Sequence, residues 1–286
     1  MSSNYFPRRG LGYHSSMKLP TLALLMFTGS LLGGCQSIST TAPGAIGVER
    51  KQIMFVSEAE VEQSARQAYA AEIGKAQQNG QLNADPRQTD RVRKISQRLI
   101  RQVSVFRPDA AAWAWDVNVQ KTNELNAYCM PGGKIMVYSG LIDRLALSDA
   151  ELATVIGHEM AHALREHSRE AVSRAYAQQL GLGALGVLTG MSADSVQLAG
   201  MVSNVTFSLP RSRVQESEAD EIGLELMARA GYDPNAALSL WQKMDQSSQG
   251  GTPAFLSTHP ASSRRLADLR ALLPRVTPLY QSAIKK

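Results

Sequence analysis

Along most of this chain apolar side chains recur with helical spacing, and in only two short stretches do they alternate with polar ones. Ser57-Glu-Ala-Glu60 is a capping box that opens a helix running to about residue 74 or 79. A turn-rich link follows, and over residues 89–103 Val92, Ile95, Leu99 and Val103 share one face while arginines crowd the other, predicting a basic amphipathic helix. Trp115, Val117 and Val119 alternate with polar residues, and residues 134–138 follow a Pro-Gly-Gly turn, so both read as strands. Ser148-Asp-Ala-Glu151 is a second capping box, and Leu152, Val155, Ile156 and Met160 continue it as an apolar stripe on a helix reaching about residue 169. Residues 180–190 and 196–207 are apolar and suit a lid over a cleft, a surface dipping into a bilayer, or a buried helix hairpin. A helix through residue 216 ends at Gly231, Asp233 and Pro234 suit the cap and first position of the next, and residues 262–273 form a last helix that Pro274 stops. The expected architecture is α+β, mainly helical, with a small sheet beside the helix that starts at Ser148.

That helix carries the chain's most specific chemistry, His158-Glu-Met-Ala-His162. Two histidines four residues apart are separated by about 400° of helix rotation, so they lie one turn apart on one face and can bind a single zinc ion. Glu159 is placed to act as general base toward an attacking water. The bare pattern also fits a solvated helix turn with two surface histidines. The apolar stripe argues otherwise, because buried imidazoles and a carboxylate need partners and a metal satisfies all three.

A catalytic zinc needs a third protein ligand. His167 lies about 140° around the helix from His162 and reads as a helix-end surface histidine. In Glu216-Ser-Glu-Ala-Asp220, Glu216 and Asp220 share a helix face, so Glu216 can bind the ion while Asp220 orients a ligating imidazole. Glu218 points about 200° away and reads as solvated. An ordinary charged helix face is the alternative for this acidic run.

Together these residues resemble the HtpX and CAAX-prenyl-protease group of zinc metallopeptidases. The resemblance covers roughly residues 57–272 and implies a zincin-like domain holding one zinc ion through His158, His162 and Glu216, with Glu159 catalytic. Residues 126–141 resemble the strand segment that precedes the zinc helix in that group. Thr258-His259-Pro260, with Arg264 or Arg265 after it, resembles a motif of the soluble periplasmic members. His259 has three readings: hydrogen bonding to the oxyanion, occupation of the open metal position in a self-inhibited resting state, or capping of the next helix. The strand Lys134, Ile135, Met136, Val137, Tyr138 is expected as a sheet edge that pairs with extended substrate. HtpX and the prenyl proteases span the membrane several times and this pattern does not; it is closer to the lipoprotein and periplasmic branch, with the Oma-type peptidases as cousins.

The N-terminus points the same way. Arg8, Arg9 and Lys18 precede an apolar run over residues 19–32, shorter than the roughly 20 residues a membrane span needs, and the run ends in Leu-Gly-Gly-Cys35. This resembles a secretory signal with a bacterial lipobox: residues 1–34 are removed, Cys35 is lipidated, and residues 35–56 tether a peptidase domain at 57–273, leaving 274–286 as a tail. Gln36 rather than Asp after the cysteine suits the outer membrane. Removal of the leader also removes three basic residues and no acidic ones from a formal charge of +5, and nothing in the remainder suggests nucleic acid. Of two cysteines only Cys129 would then be free, expected as a small buried residue. The expected function is zinc-dependent endoproteolysis in the bacterial cell envelope, facing the periplasm, on unfolded or misassembled proteins. The alternative is a chaperone-like client-binding lipoprotein with low or self-inhibited proteolysis.

Overall fold

The computed structural model describes residues 1, 36–179, 195–248, 253–260 and 263–285. The expected lid segment at 180–190 and the expected lipidation site Cys35 lie outside them.

Two short strands, β1 (Gln36–Ile38) and β2 (Gln52–Met54), pair antiparallel. Then come α1 (Glu58–Gln78), opened by the expected Ser57–Glu60 box, and α2 (Pro86–Ile100), capped by Asp85 with Pro86 at its first position. A three-stranded sheet contains β3 (Asp116–Gln120), β4 (Ala127–Met130) and β5 (Lys134–Tyr138). The remaining helices are α3 (Ser139–Arg144), α4 (Asp149–Leu164), α5 (His167–Gln179), α6 (Ser195–Phe207), α7 (Arg213–Arg229), α8 (Ala236–Ser247), α9 (Ala254–Thr258) and α10 (Ser263–Ala283). Mainly helical with small sheets, this is the expected class.

Period-two alternation places the sheet between two cores. Ala127, Cys129, Ile135 and Val137 face the larger core, with Leu152, Ile156 and Met160 of α4. Tyr128, Met130 and Met136 face the smaller one, with Val61 and Tyr69 of α1 and Leu198, Val202 and Val205 of α6. Residues 196–207 thus lie in a helix that buries Leu198, Val202 and Val205 in the core it shares with α1. Cys129 is buried, as expected.

Four expectations are corrected. The sheet order is β3-β5-β4, so Lys134–Tyr138 is the central strand, parallel to β3 and antiparallel to β4, and Ala127–Met130 is the edge. An alternating pattern marks a strand but not its neighbours. Residues 36–56 are a folded strap rather than a free spacer. Ile46 and Val48 enter the larger core, the Ala45 and Ile46 N–H groups donate to buried Glu225, and the Gln52 amide donates to the Arg165 carbonyl at 2.7 Å. Each anchor there is single, which leaves no periodic signal. Helix α10 continues through Pro274 and Pro278, so residues 274–283 are helical and not a tail. Proline in a helix costs about 3 kcal/mol; here burial of Leu269 and Val276 on the helix face offsets it. Finally, α8 starts at Ala236 with Asn235 at its cap, because the Asp233 carboxylate accepts the Asn235 N–H at 2.9 Å and holds a turn ahead of the helix.

Candidate metal centre

The centre forms where α4 crosses α7. Ser148 and Glu151 close their capping box and start α4, which is buried along nearly its whole length. Ser212 and Gln215 do the same for α7, leaving Glu216 in the first turn, where the positive end of the helix dipole favours a carboxylate. The helices approach through two glycines: a Cβ on Gly157 would lie 3.0 Å from the Gly223 carbonyl oxygen, and one on Gly223 2.8 Å from the His158 nitrogen. This contact brings the His158 turn of one helix beside the Glu216 turn of the other.

His158, His162, Glu216 and His259 converge there, all buried, with one ligand atom from each within 4.8 Å of the others. His158 Nε2 lies 3.1 Å from His162 Nε2 and 3.3 Å from His259 Nδ1. Glu216 Oε1 lies 3.3 Å from His162 Nε2 and 3.0 Å from His259 Nδ1, and Glu216 Oε2 3.5 Å from His158 Nε2. An ion held tetrahedrally by bonds of about 2.1 Å spaces its ligand atoms about 3.4 Å apart. The spacing therefore fits a small tetrahedral cation.

Tautomers make the same argument. Asp220 Oδ1 lies 3.0 Å from His158 Nδ1, so that nitrogen carries the proton and His158 Nε2 presents a lone pair to the centre. Glu218 Oε2 lies 2.9 Å from His167 Nε2, and His167 Nδ1 lies 2.7 Å from His162 Nδ1. Burial holds the His167 pKa down at about 4 despite Glu218, so the ring is neutral. It donates to Glu218 from Nε2 and accepts at Nδ1 from His162, which leaves His162 Nε2 a second inward lone pair. Facing lone pairs repel unless a cation lies between them. Consistently, burial holds the His162 pKa well below its usual value, whereas Asp220 and Glu216 overcome burial and lift His158 to about 9. Without metal, a proton on His158 supplies positive charge, to be released when an ion binds.

His167 and Glu218 correct two expectations, since neither is at the surface. Helix α4 ends at Leu164, and Glu166 turns the chain with φ 51°, so the helical angle used to place His167 does not apply. The turn swings His167 back under His162. Glu218 meets His167, Arg50 and Arg165. Glu170 joins the same group, paired with Arg50 at 2.6 Å. A buried carboxylate opposite two arginines is invisible in a charge count along one helix.

Asp220 occupies its expected place behind His158 and is clamped by Arg265, whose Nη2 donates to Oδ1 at 2.8 Å and whose Nε donates to Oδ2. Arg265 also pairs with Glu216 and lies 3.7 Å above the Trp241 ring. The choice left open between Arg264 and Arg265 falls on Arg265; Arg264 is on the surface with Asp268. Glu159, beside the centre on α4, has Oε1 at 3.3 Å from His259 Nε2. Both His259 ring nitrogens are thus turned into the centre. The strand Lys134–Tyr138 contributes no ligand atom.

A family profile described as peptidase family M48 matches residues 86–273, more than half the chain. The mitochondrial metalloendopeptidase OMA1 of Schizosaccharomyces pombe is 38% identical over 166 residues, 56% of this chain and 47% of the relative. The metalloproteases LoiP and YcaL of Escherichia coli K12 are 27% and 25% identical, each over 89% of this chain and 96% and 97% of the relative. The chain spans about half the length of the yeast OMA1 relatives it matches.

Proposed function

The chain belongs to peptidase family M48, whose members are zinc-dependent metallopeptidases, and on that premise we propose that it is a zinc endopeptidase of the bacterial cell envelope acting on unfolded or misassembled proteins. The observation that carries the reading is the convergence of His158, His162 and Glu216 at tetrahedral spacing with Glu159 beside them.

In this reading those three residues hold one zinc ion. When bound, zinc supplies Lewis acidity, making water a better nucleophile and the peptide carbonyl a better electrophile. Glu159 takes the proton of the attacking water and returns it to the leaving amine. Asp220 and His167 fix the imidazoles in the ligating tautomer, and Arg265 holds Asp220 and Glu216 in place. The edge strand β4, which lies against α4, is the strand that would pair with an extended peptide. Backbone pairing reads little sequence and suits unfolded clients.

The Leu-Gly-Gly-Cys35 pattern supports the envelope location, with a lipid on Cys35 as the anchor. Among the described residues no helix is long and apolar enough to cross a membrane. Because β1 begins at Gln36, such an anchor would hold the domain close to the bilayer, with the exposed side chains of Ile53 and Phe55 on the strap that carries it.

His259 favours a second reading of the same centre, a peptidase at rest that is shut by its own side chain. It sits where a fourth ligand would, against both Glu216 and Glu159. The test is casein cleavage by the form beginning at residue 36, with and without chelator. Glu159→Gln should keep zinc and lose cleavage by about 10²- to 10⁴-fold. Cleavage that survives zinc removal, or a Glu159→Gln variant as fast as the unaltered protein, refutes the mechanism. His259→Ala should raise the basal rate if the centre is held shut; an unchanged rate refutes that second reading.

A further inference from the structure

Arg211 lies just ahead of α7, beside the metal centre, and is 9% exposed. Its backbone N–H donates to the Thr258 carbonyl at 2.9 Å, fixing it next to His259. Its side chain makes one long contact, Nη2 to Ser168 Oγ at 3.4 Å. Nε and Nη1 are shut off from solvent and have no acceptor among the described residues.

The other buried arginines described here are all paired: Arg107 with Glu58 and Glu166, Arg165 with Glu218, Arg265 with Asp220 and Glu216. Arg211 alone among them has no carboxylate partner, although unpaired N–H groups on a buried cation are costly. Burial lowers its pKa, and only the more distant charges of Glu159 and Glu216 work against that. Those two carboxylates are committed to the centre itself. Arg211 also lines a cavity of about 590 Å³ together with Glu216, Val214 and Pro260. A cation kept dry beside the reacting groups has no carboxylate paired with it among the described residues.

We propose that Arg211 binds a carboxylate of the peptide substrate next to the scissile bond, so that this peptidase prefers chains with an acidic residue beside the cleavage point. A carbonyl would accept a hydrogen bond and leave the charge uncompensated; a carboxylate supplies both the acceptor and the charge. The inference rests on the peptidase reading, and binding separates the two.

Matched peptides carrying Glu or Gln at the position beside the cleaved bond are titrated against the zinc-loaded Glu159→Gln protein. Tighter binding of the Glu peptide is expected, by about 10- to 100-fold, the worth of a charge-assisted bond shut off from water. Adding Arg211→Gln should erase the difference, and Arg211→Lys should keep part of it. Zinc content and thermal stability of each variant establish that the fold is intact. Turnover by the Glu159-intact protein should show the same preference in kcat/KM. Equal binding of both peptides overturns the proposal. So does an equal loss on both peptides in Arg211→Gln, which would put the guanidinium on the reacting carbonyl. If neither peptide is cleaved, even by the His259→Ala protein, the peptidase reading fails, and the binding comparison still decides the subsite.

Discussion

Gly223→Ala tests whether the helix crossing sets the metal geometry. The new Cβ would lie 2.8 Å from the His158 nitrogen, 2.9 Å from the Gly157 carbonyl carbon and 3.0 Å from the His158 Cα. Non-bonded contacts of this kind settle at about 3.5–4.0 Å, so the helices must part by roughly 0.5–1 Å. The obstructing atoms are backbone within a buried helix and cannot rotate aside. Alanine gains about 1 kcal/mol of helix propensity over glycine, while overpacking a core costs about 1–3 kcal/mol, so the net effect is destabilising. The metal feels the shift more sharply. Glu216 lies 3.3 Å from His162 Nε2 across this crossing, and ligand distances tolerate only about 0.2 Å of error. Zinc affinity should fall at least tenfold, about 1.4 kcal/mol. Chelator competition measures the affinity, and denaturant unfolding in excess chelator measures the fold separately. Gly74→Ala is the control: it is also helical, nothing lies within 4 Å of its new Cβ, and it should stabilise slightly without touching zinc. If Gly223→Ala binds zinc as tightly as the unaltered protein, the crossing does not set the ligand distances.

His167→Ala leaves His162 Nδ1 without its acceptor and should weaken zinc binding by about 10- to 100-fold, with partial recovery in His167→Gln; an affinity equal to that of the unaltered protein would refute the relay. Glu225→Ala strips the partner from the Ala45 and Ile46 N–H groups and from Arg229, and should cost about 3 kcal/mol in denaturant unfolding; a loss confined to the noise would mean the strap contributes nothing to stability. The metal-free protein should lose stability in acid. Burial alone would raise the Glu170 pKa, but its hydrogen bonds to Arg50, Gln52 and Gln215 hold it near 2, below the ordinary 4.5, so its contribution is complete above pH 4.5 and vanishes as the pH falls through about 2. His167, held by burial near 4 rather than 6.5, acts in the same direction between those values, because the unfolded chain takes its proton first. Denaturant midpoints measured in chelator at pH 6, 5 and 3, below the range in which His158, lifted to about 9, gains stability as the pH falls, should fall in that order, with a shallower decline below pH 5 for Glu170→Gln; a flat series would contradict both assignments.

What was legible along the chain was what adjacent residues decide. The capping boxes at Ser57 and Ser148, the one-turn spacing of His158 and His162, and the shared face of Glu216 and Asp220 depend only on local helix geometry, and all stand in the structure. What failed depends on where the chain turns or what lies across from it. One left-handed residue, Glu166, ended the zinc helix early and converted His167 from a surface residue into the partner of His162. Glu218 looked solvated because its partners, Arg50 and Arg165, come from far along the chain. The edge position passed from β5 to β4 because strand order is a matter of distant pairing. Arg211 carried no signal at all, since its distinction is a partner it lacks rather than a motif it joins.

The four converging side chains are not held alike, and the difference bears on how the centre opens. His158 is backed by Asp220, which Arg265 clamps, and His162 is backed by His167, which Glu218 anchors. Glu216 is fixed in the first turn of α7 and paired with Arg265. His259 has no such backing: its two ring nitrogens face Glu216, His158 and Glu159, and its ring stacks on Phe255 of the short helix α9. Moving His259 breaks its contacts with the centre and its stacking on Phe255, whereas moving any of the other three breaks a polar network behind it. The same movement has two consequences. It vacates the fourth position, which an attacking water requires, and it removes the imidazole that lies 3.3 Å from Glu159 Oε1. In the self-inhibited reading, the position for water and the base that activates it would therefore become available in one step, and displacement of the segment carrying His259 would turn a closed arrangement into a working one.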